Sequence, residues 1–230
     1  MSQAITVPLL DLKVQYAALR AELEPVMQKV LESAYYIGGP DIAELEKEIA
    51  AYAKARHGIA CANGSDAILL ALMALDIKPG DEVICPSYTF FATAGSIARL
   101  NAVPVFADID PKTYNMCPVH TREVAKKCKR LKAIMPVHLF GQAADIDAFL
   151  DLGRELNVPI IEDCAQAIGT RDNRGLDVGS RGAIGTFSFF PSKNLGAFGD
   201  GGIMTTNCPH LADKLTMLRG HGMKPKYYHQ

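Results

Sequence analysis

The segment Phe187-Ser188-Phe189-Phe190-Pro191-Ser192-Lys193-Asn194-Leu195-Gly196 places one lysine in a mostly apolar run, and the glycine-rich Gly199-Asp200-Gly201-Gly202 follows it. A lysine in a partly apolar pocket loses hydration of its ammonium group, so its pKa falls and the neutral amine can attack a carbonyl carbon. The alternative is an ordinary surface lysine, which requires neither the aromatic neighbours nor the glycines. The segment therefore favours Lys193 as a reactive amine on a loop.

A second segment, Ile160-Ile161-Glu162-Asp163-Cys164-Ala165-Gln166-Ala167, supplies a carboxylate that can act with this lysine. Asp163 follows a hydrophobic run that indicates a buried strand. It can cap the following turn, or it can keep a pyridine nitrogen protonated. A lysine that holds an aldehyde and an aspartate at the ring nitrogen are what a pyridoxal 5′-phosphate (PLP) enzyme requires. We therefore predict a PLP site with Lys193 and Asp163 as catalytic residues and Gln166 near the ring oxygen.

Composition limits the class of protein. The chain of 230 residues can bury one sizeable core, and its formal net charge of −1 argues against nucleic-acid binding by phosphate neutralisation. Six cysteines without a Cys-x-x-Cys pair, and no His/Cys cluster at ligand spacing, predict reduced thiols and no metal site. No run approaches the ~20 apolar residues of a membrane span, and the first eight residues lack a signal-peptide pattern. We expect a cytoplasmic protein without a membrane partner.

Helical and strand-like patterns alternate along the chain, which predicts an α/β fold with a mostly parallel central sheet flanked by helices. The segments on either side of the lysine loop, residues 185–189 and 202–205, are predicted to form an antiparallel pair. The other predicted strands are residues 58–62, 82–85, 103–107, 133–137 and 158–161. The predicted helices are residues 19–31, a second helix capped by Asp41, 66–75, 92–100, 145–156 and 211–218.

The segment Asn63-Gly64-Ser65-Asp66-Ala67 links a predicted strand to a predicted helix. A helix N-terminus offers unpaired N–H groups and a positive dipole end, and both favour an anion. Taken alone, the segment is better explained as an ordinary capped helix. Beside the lysine and the aspartate, phosphate binding by Gly64 and Ser65 becomes the better interpretation. Ser188 can donate to the same phosphate, although a serine on a sheet surface would look the same.

Other candidates lie near predicted strand ends. Phe90 and Phe91 follow a strand, and we expect one to stack on a flat ring and the other to enter the core. His138 ends another strand, and we expect a satisfied, partly buried histidine because the lysine can already supply the base. Ser192 and Asn194 are weaker candidates for a contact with the phosphate or with the backbone of the lysine loop.

These residues together resemble the DegT/StrS family of sugar aminotransferases, which are PLP enzymes of fold type I. The resemblance runs from about Leu9 to the last residue. Each motif is modest alone, but their order and spacing are highly specific. The motifs are residues 36–40, 62–67, 79–84, Thr89-Phe90, Asp108-Ile109-Asp110, Glu162-Asp163 with Gln166, and 188–202.

The resemblance implies a role for each candidate. Lys193 would carry the covalent link to PLP, and Asp163 would pair with the ring nitrogen. The remaining implied cofactor contacts are Gln166 at the ring hydroxyl, Gly64, Ser65 and Ser188 at the phosphate, and Phe90 stacked on the ring. The choice of Phe90 over Phe91 depends on the resemblance alone. Family members with histidine in place of this lysine are sugar dehydratases, so Lys193 favours transamination.

The implied reaction moves an amino group from an amino acid, with L-glutamate expected, to a nucleotide-linked keto-sugar. It would serve amino-sugar, surface-polysaccharide or secondary-metabolite biosynthesis, and we expect a homodimer for a complete protein. Family members are typically longer, so we expect residues 1–230 to form the PLP-binding major domain with an N-terminal helical segment, without the C-terminal small domain. The alternative is a truncated, inactive PLP-binding remnant or a regulatory protein of the same family.

Overall fold

The computed structural model describes residues 7–223, which divide into two units on either side of Glu44 and Leu45. In the first unit, helix α1 (Leu12–Ser33) begins after Asp11, whose carboxylate accepts N–H groups of the first turn. This cap extends the helix beyond the predicted residues 19–31. Helix α2 (Pro40–Tyr52) crosses the division. Asp41 lies inside its first turn, so the prediction that Asp41 caps this helix is wrong.

The second unit alternates strands and helices, as predicted. No helix within residues 7–223 is both long and apolar enough to cross a membrane. The strands are β1 (His57–Cys61), β2 (Glu82–Pro86), β3 (Val103–Ala107), β4 (Leu131–Ile134), β5 (Ile161–Asp163), β6 (Ile184–Ser188) and β7 (Gly202–Thr206). The helices are α3 (Gly64–Ala74), α4 (Phe91–Arg99), α5 (Pro118–Ala125), α6 (Ile146–Leu156) and α7 (Pro209–Arg219), with a 3₁₀ turn at Leu139–Gly141.

The strands form two ladders that isolated bridges connect. One ladder is the parallel set β3-β2-β4, and the other has the order β5-β6-β7-β1. Parallel bridges from Ile134 to Ile160 and from Val137 to Asp163 join β4 to β5. Strand β7 is antiparallel to both β6 and β1. The mostly parallel sheet and the antiparallel pair around the lysine loop are therefore confirmed.

Alternation along the strands sends side chains to opposite faces of the sheet, and each face is covered by helices. In β2, Val83 and Cys85 pack in a cluster with residues of α3, α4 and α7. Ile84, between them, packs in another cluster with residues of α5 and α6. A third cluster joins Phe187 of β6 to Ile49 of α2. The second unit is consequently a three-layer α/β/α arrangement.

Two further differences from the sequence prediction have local reasons. Helix α5 was not predicted, because its buried side chains are only Thr121 and Ala125 and an apolar stripe is missing. Strand β5 begins after the predicted Val158, whose N–H instead donates to the Gly153 carbonyl at the end of α6. Pro159 follows and has no N–H to give to a ladder.

Candidate active site

A cavity of about 510 Å³ opens at the carboxyl ends of the parallel strands. Asp163 ends β5 and Ser188 ends β6. The carboxyl end of β1 and the start of α3 reach the same edge, because β1 and β6 both pair antiparallel with β7. Ligands of open α/β sheets bind in crevices at this edge. Every predicted site residue lines the cavity: Gly64, Ser65, Phe90, Asp163, Gln166, Ser188 and Lys193.

Asp163 is 3% exposed and is held by two hydrogen bonds. Its Oδ2 accepts the Thr93 hydroxyl at 2.9 Å, and its Oδ1 accepts the Ala165 N–H at 3.1 Å. Burial raises the pKa of Asp163, and these hydrogen bonds together with the positive charge of Lys193 offset the rise only in part. A buried carboxylate in this state is stabilised strongly by a further cation, such as a protonated ring nitrogen.

Lys193 lies on the loop between β6 and β7, with its side chain half-buried in the cavity. Its backbone N–H donates to the Phe190 carbonyl at 2.8 Å, which makes a tight turn after β6. Burial lowers the pKa of Lys193, while the negative charge of Asp163 raises it by less. The amine is thus closer to its neutral, nucleophilic form than a surface lysine would be.

The start of α3 and the end of β6 form a cradle for an anion. Asn63 caps the helix, since its Oδ1 accepts the Asp66 N–H at 2.8 Å. The N–H groups of Gly64 and Ser65 precede the first intrahelical bond, so they can donate to a ligand. A Cβ added at Gly64 would lie 2.6 Å from Cβ of Ser188. Glycine therefore allows the helix terminus to lie directly against the serine.

Gln166 and the paired phenylalanines complete the predicted set. The Gln166 side-chain oxygen accepts the Phe140 N–H at 2.9 Å, which leaves the amide NH₂ group to donate to a ligand. Phe90 is 70% exposed and lines the cavity. Phe91 is 80% exposed, so the expectation that one of the two enters the core is wrong. The buried face of α4 is formed instead by smaller residues, Thr93 among them.

No role was predicted from the sequence for several residues of the cavity wall. They are Asp66, Thr89, Thr93, Arg99 and Asp200. Arg99, at the end of α4, lies 3.7 Å from Asp66 in an ion pair beside the α3 terminus. The sequence could have indicated Thr93, because it lies within the predicted helix at residues 92–100, on the face that also carries Ile97. Of the two weaker candidates, Ser192 lines the cavity and Asn194 does not.

His138 belongs to a buried network behind the cavity. Its Nδ1 accepts the Ala144 N–H at 3.0 Å, so the ring proton lies on Nε2 and is donated to Glu162 at 3.1 Å. Glu162 also accepts N–H groups of Gly179, Arg181 and Gly182. Burial raises the pKa of Glu162, but the hydrogen bonds of this network outweigh burial and lower it.

This network also contains a cluster with the composition of a metal site. Ligand atoms of His138, Glu162 and Cys164 lie within 4.8 Å of one another. Each of these atoms already has a hydrogen-bond partner within the protein, with the Cys164 Sγ donating to the Glu162 carbonyl at 3.7 Å. Burial holds the pKa of the Cys164 thiol well above its usual range. We interpret His138 as a structural residue of this network.

The profile of the DegT/DnrJ/EryC1/StrS aminotransferase family matches residues 18–230. The chain belongs to this family. It is 52% identical over 225 residues to the pleiotropic regulatory protein of Geobacillus stearothermophilus, covering 98% of this chain and 60% of that protein. It is 46% identical over 229 residues to UDP-N-acetyl-3-dehydro-alpha-D-glucosamine 3-aminotransferase of Acidithiobacillus ferrooxidans, covering 100% and 61%. The chain thus spans about three fifths of the length of these relatives.

Solved structures agree with this membership. S. venezuelae DesV superposes with a TM-score of 0.93 at 42% identity, covering 97% of this chain and 60% of DesV. NtdA from Bacillus subtilis, solved with the cofactor PMP bound, gives a TM-score of 0.89 at 31% identity, covering 97% and 50%. The fold is that of the fold-type-I PLP-dependent aminotransferases.

The DegT/DnrJ/EryC1/StrS family uses PLP, and the cavity of this member fits that cofactor in three respects. The helix terminus at Gly64 suits a phosphate, and the Ser188 hydroxyl lies against it. The buried Asp163 carboxylate suits a protonated ring nitrogen. The half-buried Lys193 amine, with its lowered pKa, suits an aldehyde carbon.

Proposed function

We propose that this protein takes part in PLP-dependent transfer of an amino group from an amino acid, L-glutamate in particular, to a nucleotide-linked keto-sugar. The observation that carries the proposal is the pairing of a half-buried Lys193 with a buried Asp163 in one cavity beside an anion-binding helix terminus. The name of the Acidithiobacillus relative supports the nucleotide-sugar class and a keto group at C3. The pathway would be amino-sugar biosynthesis for a surface polysaccharide or a secondary metabolite.

The cradle and the cavity wall would hold the cofactor. The N–H groups of Gly64 and Ser65 and the Ser188 hydroxyl would bind its phosphate. Phe90 would cover one ring face, and the Gln166 amide would donate to the ring hydroxyl. Positive charge at the helix terminus and from Arg99 favours a dianion here, while Asp66 opposes it.

Two side chains would carry the chemistry. When bound, PLP supplies an aldehyde that takes up the amino group and a ring that accepts electrons. Lys193, with its lowered pKa, would remove the proton from the α-carbon of the amino donor and return it on the cofactor side. Asp163 would hold the ring-nitrogen proton, because its buried carboxylate is stabilised by the opposite charge. The reverse sequence would then aminate the keto carbon of the sugar.

The test uses the 230-residue chain with added PLP. Binding is followed by visible absorbance, the complex is reduced with borohydride, and the modified peptide is mapped. We expect cofactor fixed on Lys193 in the wild type, loss of that covalent link in Lys193→Ala, and wild-type behaviour in Lys126→Ala, whose side chain is 63% exposed. A reducible link that persists in Lys193→Ala, or a label elsewhere in the wild type, would overturn the assignment.

A regulatory role is the second candidate, and it rests on the name of the relative from Geobacillus stearothermophilus, 52% identical to this chain. In that case the chain would bind PLP, or nothing, without transferring amino groups. Addition of L-glutamate to the PLP complex distinguishes the two. Transamination converts the absorbance of the bound aldehyde to that of the amine form, whereas a purely regulatory protein leaves the spectrum unchanged. We further propose a homodimer, to be checked by sedimentation.

A further inference from the structure

Thr93 connects the buried end of β5 to the cavity wall. It lies on the inner face of α4 and is 1% exposed. Its Oγ1 is 2.9 Å from Oδ2 of Asp163 and 3.0 Å from Oγ1 of Thr89, which lines the cavity. Two hydroxyl groups thus form a hydrogen-bonded chain that ends on the carboxylate.

The chemistry of the hydroxyl group sets the direction of this chain. Each threonine has one hydroxyl proton to donate, and an ionised carboxylate can only accept. When Asp163 is ionised, Thr93 therefore donates to Asp163 and must accept from Thr89. A protonated Asp163 would accept a weaker hydrogen bond from Thr93 than the anion does. The Thr93 hydroxyl therefore stabilises the ionised form more than the protonated form. The arrangement is matched to an anion at Asp163.

The surroundings of Asp163 show why this matching is needed. Burial disfavours the ionised carboxylate, and Lys193 is the cation that faces it across the cavity. His138 directs its ring nitrogens to Glu162 and to the Ala144 N–H rather than to Asp163, and the Cys85 and Cys164 thiols, both buried, are neutral. The hydrogen bonds that stabilise the anion directly come from the Ala165 N–H and the Thr93 hydroxyl. The first is a backbone group, so the second is the one that a side-chain substitution removes.

We propose that Thr93 is a positioning residue for the cofactor: it fixes the orientation of the Asp163 carboxylate and favours the anionic form that pairs with the ring nitrogen. Thr89 supports it from the cavity wall. The inference rests on the proposed PLP function. It assigns a role in cofactor electronics to a residue that need not itself contact the cofactor.

The experiment removes the hydroxyl while keeping the shape of the side chain. Thr93→Val is compared with Thr93→Ser, which restores the hydroxyl, and with Thr121→Val, which removes a buried threonine hydroxyl in α5. Each full-length chain is titrated with PLP and with 1-deazapyridoxal phosphate, in which a C–H group replaces the ring nitrogen. Dissociation constants come from absorbance, and melting temperatures without cofactor report folding.

We expect Thr93→Val to weaken PLP binding about tenfold or more, the size of a lost hydrogen bond to a charged group. Thr93→Ser should recover most of this loss, and Thr121→Val should bind PLP as the wild type does. With the deaza analogue, Thr93→Val and wild type should bind about equally, because no charged ring nitrogen is present to pair with Asp163.

Failure of the inference can be separated from failure of the proposed function. A wild type that does not bind PLP would overturn the function itself. A wild type that binds PLP, with Thr93→Val either equal to it or weakened equally for both cofactors, would overturn only the role of Thr93. If Thr93→Val does not fold, Thr89→Val breaks the chain at its half-buried end. It should give a smaller loss that again disappears with the deaza analogue, and a loss that persists with the analogue would count against the inference.

Discussion

The close contact between Gly64 and Ser188 makes Gly64→Ala a sharp test of the anion cradle. A Cβ at position 64 would lie 2.6 Å from the Ser188 Cβ and 3.2 Å from its Cα. These atoms are fixed to the backbone of β6, so a change of rotamer cannot relieve the contact. To reach an ordinary separation of 3.4 Å, α3 and β6 must move apart by about 0.8 Å.

The cost follows from that displacement. Overpacking of this kind costs about 1–3 kcal/mol, and replacing glycine by alanine returns about 0.4–1 kcal/mol through the unfolded chain. A net loss of about 0.5–2 kcal/mol should lower the melting temperature by roughly 1–8 °C for a chain of this size. PLP affinity should fall about tenfold or more, because the same movement separates the Gly64 N–H from the Ser188 hydroxyl that would share the phosphate.

Thermal unfolding and PLP titration of Gly64→Ala measure both effects. Gly199→Ala is the matched control, since a Cβ at Gly199 meets nothing within 4 Å and its φ does not lie in the left-handed region. The control should change stability by less than about 0.5 kcal/mol. The reasoning would be refuted if Gly64→Ala matched the wild type in both melting temperature and PLP affinity.

Two further predictions concern charge. Because the pKa of Glu162 is lowered by folding, its contribution is complete above the unfolded value of about 4.3 and is lost as pH falls through the folded pKa. Glu162→Gln weakens the hydrogen bonds that the carboxylate accepts from Gly179, Arg181 and Gly182, so it should cost about 1.5–3 kcal/mol at pH 7 and flatten the acid side of a pH–stability curve. An unchanged acid slope would argue against this carboxylate. Arg99→Gln should weaken PLP binding about two- to fivefold at low salt, and by less at high salt. The control Arg122→Gln, which breaks an exposed ion pair in α5, should leave PLP binding unchanged. Equal effects of the two substitutions would show that Arg99 does not contribute to cofactor binding.

Much of the fold follows from local patterns in the sequence. The run Val103–Ala107 has the same predicted and observed limits, and its Pro104, which lacks an N–H, is tolerated because β3 is the edge strand of its ladder. The start of α3 was predicted two residues late, at Asp66, although Asn63 caps the helix from within the predicted linking segment. The short helix α5 was missed because its partly polar surface carries no periodic apolar signal.

The residues of the candidate site could also be predicted only where a local sequence pattern marks them. Lys193 and Asp163 could be found because each sits in an unusual local setting, an apolar loop and a strand end. The hydrogen-bond partner of Thr93 could not be predicted from the sequence, because Thr93 and Asp163 are 70 positions apart. The exposure of Phe90 and Phe91 was misjudged for a similar reason, because the packing of α4 places smaller side chains on its inner face. Tertiary approach, rather than propensity, decides these cases.

The position of the antiparallel strand β7 affects how the sheet can fold during synthesis. It lies between β6 and β1, and its partner residues His57 and Thr206 are separated by about 150 positions. At a synthesis rate of roughly 5–20 residues per second, β1 would wait about 8–30 s on the ribosome for the strand that covers it. Long-range pairing of this kind slows folding and leaves an edge open to wrong partners. Gly64, which follows β1, meets Ser188 only after β7 has been inserted, so phosphate-cofactor binding would mark the completion of the sheet during biosynthesis.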